Sequence, residues 1–211
     1  MTWALLCTCA VASAYGEVID RIAVTLDRQV ITESDLILDL RVDAFIDRKP
    51  VDLSVAARRQ AAERLVDQIL MFREAADSHL DLSMPEDGPM LIAQEKSQFP
   101  SDDEYRNTLA EYRIRESELQ EHLLNGLRAL RFANLRFSPE VQISEGDLRE
   151  YYDKLAASWR TAGRSPIPSF ADSRDQVEKL LTQERTMESL DAWLSTQRQS
   201  KQIQYREAAF K

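Results

Sequence analysis

The most constraining feature of this 211-residue sequence is a pair of short β-type segments at its opposite ends. Residues 20–26 alternate between apolar and polar side chains and predict a strand with three residues on one face: Ile22, Val24 and Leu26. Val30-Ile31 follows a polar corner as a short return strand, and residues 201–206 alternate around Ile203 and Tyr205. A two-stranded ribbon of this length is not stable alone in water. We therefore expect the hairpin and the C-terminal strand to meet in one sheet.

Between these ends, the sequence is patterned as amphipathic helices that begin at recognisable caps. Ser54 is expected to cap a long helix that reaches about Ser78, and Pro139 ends another over about 116–137. Further helix starts are predicted by a polar residue followed three positions later by an acidic one, at Thr32, Ser101, Ser144 and Ser169. The predicted fold class is mainly α: a multi-helix body with a small antiparallel sheet formed by the N-terminal hairpin and the C-terminal strand.

A break in the helical pattern falls at residues 80–89, where Pro85, Gly88 and Pro89 cluster. A short helix is predicted from Met90 to about Phe99. Methionine is flexible and suits an adaptable apolar surface, so residues near this break are candidates for a binding groove. The candidate groove residues are Met84, Met90, Ile92, Phe99 and Tyr112. The alternative is that these side chains pack in the core.

No residue pattern in the sequence predicts catalysis, a metal site or a cofactor site. His79 and His122 lie far apart and neither has a metal-ligand spacing, while GxSxG, CxxC and phosphate-binding glycine loops are absent from the sequence. The net charge of −9 argues against a nucleic-acid partner, because a phosphate backbone requires a basic surface.

Residues 1–14 are uncharged and end in Ala12-Ser13-Ala14, a pattern typical of a secretory signal and its cleavage site. The basic region that normally precedes such a segment is missing, and a buried N-terminal strand is the alternative. Both cysteines, Cys7 and Cys9, fall inside this segment. An exported chain of residues 15–211 without cysteine fits a bacterial periplasm, and no stable membrane insertion is expected.

Four stretches of the chain, in order, resemble the N-terminal chaperone domain of the SurA-like periplasmic folding factors. They begin with VIDRIAVTLDRQVITESDL and LVDQILMFREA, continue over 119–155, and end with the stretch 170–205. The resemblance implies a helical chaperone body in which the closing helix and strand pack on the N-terminal hairpin. It also implies unfolded outer-membrane or exported proteins as clients, with no requirement for ATP or a cofactor.

The sequence departs from this family between Trp159 and Phe170. Family members commonly carry one or more parvulin prolyl-isomerase domains at this position, whereas this chain has only a loop at 161–168. The expected function is therefore an ATP-independent holdase, and no enzymatic activity is expected. Two alternatives stay open: a prolyl isomerase with an unrecognised site and an assembly subunit that binds one partner. The sequence leaves the oligomeric state open.

Overall fold

The computed structural model describes residues 20–210, in which seven α-helices accompany one three-stranded sheet. The predicted signal segment, residues 1–14, lies outside the described residues. The strands are β1 (Ile22–Leu26), β2 (Gln29–Thr32) and β3 (Ile203–Tyr205). The helices are α1 (Glu33–Asp47), α2 (Val55–Asp77), α3 (Asp87–Lys96), α4 (Asp102–Tyr112), α5 (Glu116–Phe137), α6 (Glu145–Thr161) and α7 (Phe170–Ser200). Short 3₁₀ turns cover Ser138–Glu140 and Glu207–Phe210.

The sheet joins the two ends of the described chain, in the order β2-β1-β3 with both pairs antiparallel. Val24 lies opposite Tyr205, and Leu26 lies opposite Ile203. The predicted fold class, mainly α with a small sheet built from both chain ends, is therefore confirmed. The prediction for Ile22 is wrong, because the β1–β2 register shifts between Ile22 and Val24. The shift exposes Ile22, whereas Val24 and Leu26 stay buried.

Local capping explains where the helices begin. The Thr32 hydroxyl accepts a hydrogen bond from the Asp35 N–H, and the Asp35 carboxylate accepts one from the Thr32 N–H. Ser144 and Asp147 form the same reciprocal pair at the start of α6. These contacts satisfy N–H groups that the first turn leaves without intrahelical partners. The predicted capping at Thr32 and Ser144 is confirmed.

Three hydrophobic clusters hold the helices together. The main core lies under the sheet and joins α2, α5 and the end of α7, with Leu26, Val66, Phe132 and Phe210 among its members. A second core joins α1, α3, α4 and α5. A third, smaller cluster lies between α6 and α7 and includes Val177. α2 and α5 both pack on α1 as well as on each other, and this three-helix arrangement forms the candidate site.

Candidate functional site

An open cavity of about 590 Å³ lies where α1, α2, α5 and the strand β2 meet. We refer to this cavity as the groove. Its base includes the α1 residues Leu38, Asp39 and Val42. Its two walls come from α2 and α5, and β2 supplies Val30 and Ile31. The volume falls within the range of roughly 300–1,000 Å³ that is typical of ligand sites in proteins.

The α2 wall is mainly apolar, and its four residues are Leu65, Gln68, Ile69 and Phe72. Leu65, Ile69 and Phe72 fall on one face of the helix because they are spaced by four and three residues. The adjoining face of α2, with Val66 and Leu70, is buried in the main core. Leu65, Ile69 and Phe72 are half-buried at the edge of the same core, and their remaining exposed surface lines the groove.

The α5 wall is polar along its whole length, and its residues are Ser117, Glu118, Glu121, His122, Asn125 and Arg128. Arg128 donates hydrogen bonds to Glu121 and Asn125 on its own helix and to Ser83 Oγ. Other faces of α5 are buried, because Leu119 lies in the second core and Phe132 in the main core. One helix therefore supplies a polar wall on one face and core packing on the others.

Four charged or titratable side chains form a polar cluster at the base of the groove: Asp39, Asp43, Arg64 and His122. Arg64 Nη2 lies 2.5 Å from Asp39 Oδ2 and 2.6 Å from Asp43 Oδ2. On the other side, His122 Nδ1 lies 3.5 Å from Asp39 Oδ1 and Nε2 lies 3.2 Å from Asp43 Oδ1. The cluster ties α1 to α2 through the arginine and to α5 through the histidine.

The pKa values of the two carboxylates in the polar cluster are shifted in opposite directions. Burial raises the pKa of Asp39, whose side chain is 4% exposed, although the guanidinium of Arg64 acts in the opposite direction. Burial also acts to raise the pKa of Asp43, but the hydrogen bond from His122 and the charge of Arg64 outweigh it and lower the pKa. Asp39 is consequently the member that depends most on a nearby cation.

Three members of the polar cluster are also of residue types that commonly bind metal ions. Asp39, Asp43 and His122 each offer one ligand atom within 4.8 Å of the others. Arg64, however, already bridges both carboxylates and supplies the positive charge that a cation would bring. We therefore interpret the cluster as an ion-pair network that joins three helices.

The five predicted groove residues do not share one surface. Met84 and Met90 are 50% and 53% exposed, but neither lines the groove. Ile92 is only 6% exposed and belongs to the second core, which contradicts its predicted role in an open groove. Phe99 and Tyr112 are half-buried against the same core.

Aromatic packing explains why Phe99 and Tyr112 face inward. Their rings lie 5.7 and 5.8 Å from the ring of Phe45, measured between centroids. The Tyr112 hydroxyl donates a hydrogen bond to the Lys49 carbonyl oxygen. These contacts hold Phe99 and Tyr112 against the second core, and neither residue lines the groove.

Helical spacing explains the separation of Met90 and Ile92. Both residues lie within α3, which begins at Asp87, three residues earlier than predicted. Side chains two positions apart on an α-helix are rotated by about 200° around the helix axis, so they point to nearly opposite sides. Met90 therefore faces solvent while Ile92 faces the core.

Sequence reasoning missed the polar cluster, because its members come from three helices that lie far apart in the chain. One local signal was available: Asp39 and Asp43 are one turn apart on α1, on a stretch otherwise rich in apolar residues. His122, treated alone, carried no metal-site or catalytic signal.

Within residues 20–210, no helix combines the length and the apolar character that crossing a lipid bilayer requires. Compared with protein-family models and with curated proteins, the chain matches none of them.

Proposed function

We propose that this protein is an ATP-independent, holdase-type chaperone that binds unfolded segments of exported or outer-membrane proteins in the groove. The observation that carries the proposal is the open cavity of about 590 Å³ with an apolar wall that the core covers only in part. Burying that wall against a client releases water from Leu65, Ile69 and Phe72, which is favourable in proportion to the apolar area covered.

The contrast between the two walls favours a polypeptide as the ligand. A wholly apolar small molecule would match the α2 wall only, because the α5 wall is polar and its Glu118 and Glu121 carboxylates are held in ion pairs with Arg115 and Arg128. An unfolded chain carries apolar side chains together with backbone N–H donors, so it can match both walls at once. The groove thus has the chemistry of an extended peptide site.

The mechanism would be passive. A holdase lowers the concentration of free unfolded client by mass action and so slows aggregation without using nucleotide. Binding is expected to be weak, on the order of micromolar, because an extended client loses conformational entropy when it is held. The resemblance to SurA-like folding factors supports this function, and the proposed periplasmic location rests on the signal-like residues 1–14 and on the absence of cysteine from residues 15–211.

Light scattering of a denatured outer-membrane barrel protein, diluted with and without this chain, tests the proposal. We expect suppressed scattering at a severalfold molar excess, without nucleotide. Equal scattering would contradict the holdase function. Stable capture of one native protein, without suppression, would instead support an assembly subunit.

A proline-limited refolding assay tests the remaining alternative, a prolyl isomerase. Uncatalysed X-Pro isomerisation takes tens to hundreds of seconds, so even modest catalysis is measurable. A refolding rate that increases with the concentration of this protein, and not with an inert control protein, would support a prolyl isomerase.

A further inference from the structure

We propose that an extended client segment binds as an additional strand on the outer edge of β2, with the Val30 N–H and C=O as its backbone partners. This inference rests on the proposed function and specifies how the client is held. It follows from the direction of the backbone groups in the sheet, which the hydrogen bonds between β1 and β3 establish.

In β1, the backbone N–H and C=O groups of the odd-numbered residues point toward β3. The Asp27 N–H donates to the Gln202 carbonyl, and the Arg206 N–H donates to the Ala23 carbonyl. Backbone groups of successive residues in a strand point to opposite sides, so Thr25, midway between Ala23 and Asp27, also faces β3.

This alternation determines which backbone groups of β2 remain outside the ladder. Thr25 pairs with Val30 in the β1–β2 register. Because Thr25 directs its backbone groups toward β3, the pair Thr25/Val30 is the non-hydrogen-bonded type. The N–H and C=O of Val30 consequently point away from β1, toward the open side of the sheet.

That open side is accessible. β2 is an outer strand in the order β2-β1-β3, and the Val30 residue is 52% exposed. Among residues 20–210, the backbone hydrogen bonds outside the regular helices and strands include none to the Val30 carbonyl and none from its N–H. An exposed strand edge with unpaired backbone groups is a template for pairing with another extended chain.

The position of this edge beside the groove favours an unfolded client as the occupant. Val30 itself lines the groove together with Ile31, so a strand added at Val30 runs along the cavity opening. Alternate side chains of an extended segment point to opposite faces, which allows every second one to reach the apolar α2 wall. Backbone pairing would then hold clients of varied sequence, while the wall selects apolar side chains.

A pair of variants at one position separates backbone pairing from side-chain contact. Val30→Pro removes the outward N–H and crowds the edge, yet leaves the β1–β2 ladder intact because that N–H does not bond to β1. Val30→Ala keeps the N–H and removes most of the side chain. The measurement is fluorescence anisotropy of a labelled, unstructured apolar peptide taken from a barrel strand.

We expect Val30→Pro to weaken peptide binding about tenfold and Val30→Ala about twofold, since a lost hydrogen bond with an unsatisfied partner costs more than a partly exposed methyl contact. Equal effects of the two variants would overturn edge pairing. If both variants bind like the wild type while Ile69→Asp abolishes binding, the groove function stands and the strand-addition proposal falls. If no peptide binds the wild type, the proposed function itself fails.

A second measurement uses the unmodified protein, so it is independent of the folding of Val30→Pro. Single N-methylation is moved along the same peptide, one residue at a time, to remove one backbone donor in each case. Strand addition predicts that binding is lost at the one peptide position whose N–H donates to the Val30 carbonyl, and is kept at the two neighbouring positions, whose N–H groups point away from β2. A flat profile would overturn the proposal.

A second copy of this chain is the competing occupant of the same edge. Sedimentation of wild type and Val30→Pro distinguishes it from a client. A wild-type dimer that Val30→Pro converts to a monomer, with peptide binding unchanged, would show that the edge pairs with another copy and would overturn the client proposal.

Discussion

The groove and the α3 surface around Met84 and Met90 both bring apolar side chains to solvent, yet only the groove is lined by several elements. Leu65, Ile69 and Phe72 on α2 face a cavity that α1, α5 and β2 complete. Met84 and Met90 are about half exposed but do not line that cavity. The comparison shows that exposure and residue type do not by themselves make a binding site. A concave site forms where at least two elements diverge above a third, and that arrangement depends on packing between segments that are far apart in the chain.

Each of the two regions also contains a buried aspartate paired with an arginine, but the number of hydrogen-bond donors around the aspartate differs. At the base of the groove, Asp39 contacts Arg64, and at the start of α3 the buried Asp87 receives two hydrogen bonds from Arg131. Asp87 additionally accepts a hydrogen bond from the Met84 N–H. More donors surround Asp87 than Asp39, and this difference is reflected in the opposite directions of their pKa shifts.

The largest expected effect is the difference in unfolding free energy between a core variant and a surface variant of α3. Ile92→Ala should lower the free energy of unfolding by about 3 kcal/mol, because it removes a buried side chain from the second core. Met90→Ala, two residues earlier, should change it by less than about 0.5 kcal/mol. Urea denaturation measures both variants. Similar losses in the two would contradict the orientation of α3.

The next effect tests whether the base of the groove depends on its cation. Arg64→Met leaves Asp39 buried without its guanidinium partner and should cost about 2 kcal/mol of unfolding free energy, a value reduced because Arg64 is partly exposed. Arg106→Met breaks an exposed ion pair with Asp103 and serves as the control, with an expected cost below about 0.5 kcal/mol. Adding Asp39→Asn to Arg64→Met should recover part of the loss. No recovery would show that packing, not charge, explains it.

The third effect compares the two regions as client-binding surfaces. Ile69→Asp places a charge on the apolar wall of the groove and should weaken peptide binding by about tenfold or more, because that wall would no longer be covered favourably. Met90→Asp should change binding by less than about twofold, since Met90 lies outside the groove. Anisotropy titrations with the barrel-strand peptide measure both, and circular dichroism confirms retained helicity. A larger effect at Met90 would move the client site to α3.

The smallest expected effect is the difference in titration between the two buried carboxylates. Hydrogen bonds from Arg131 and from the Met84 N–H lower the pKa of Asp87, so it stabilises the fold above the ordinary aspartate range and loses that contribution as the pH falls through its folded pKa. Burial raises the pKa of Asp39, so its folded form binds a proton more readily, and its contribution to stability decreases as the pH rises through the raised value. NMR titration of the two carboxyl carbons should give the higher midpoint for Asp39. A reversed order would refute the assigned surroundings.

The sequence by itself determined the elements and the way the chain ends meet. Capping at Thr32 and Ser144 depends on residues three positions apart, and the 116–137 helix follows from apolar spacing, so these features are local. The sheet was predictable because two short alternating segments need each other to be stable, and no other such segment was recognised.

Only the tertiary structure decided the site. Ile22 turned outward because the register shifts beside it, and Ile92 turned inward because its face of α3 packs in the second core. The polar cluster combines α1, α2 and α5, and the groove exists because the same three helices cover Leu65, Ile69 and Phe72 only in part. Spacing along a helix shows which residues share a face, but the angle at which neighbouring helices pack determines whether that face is covered.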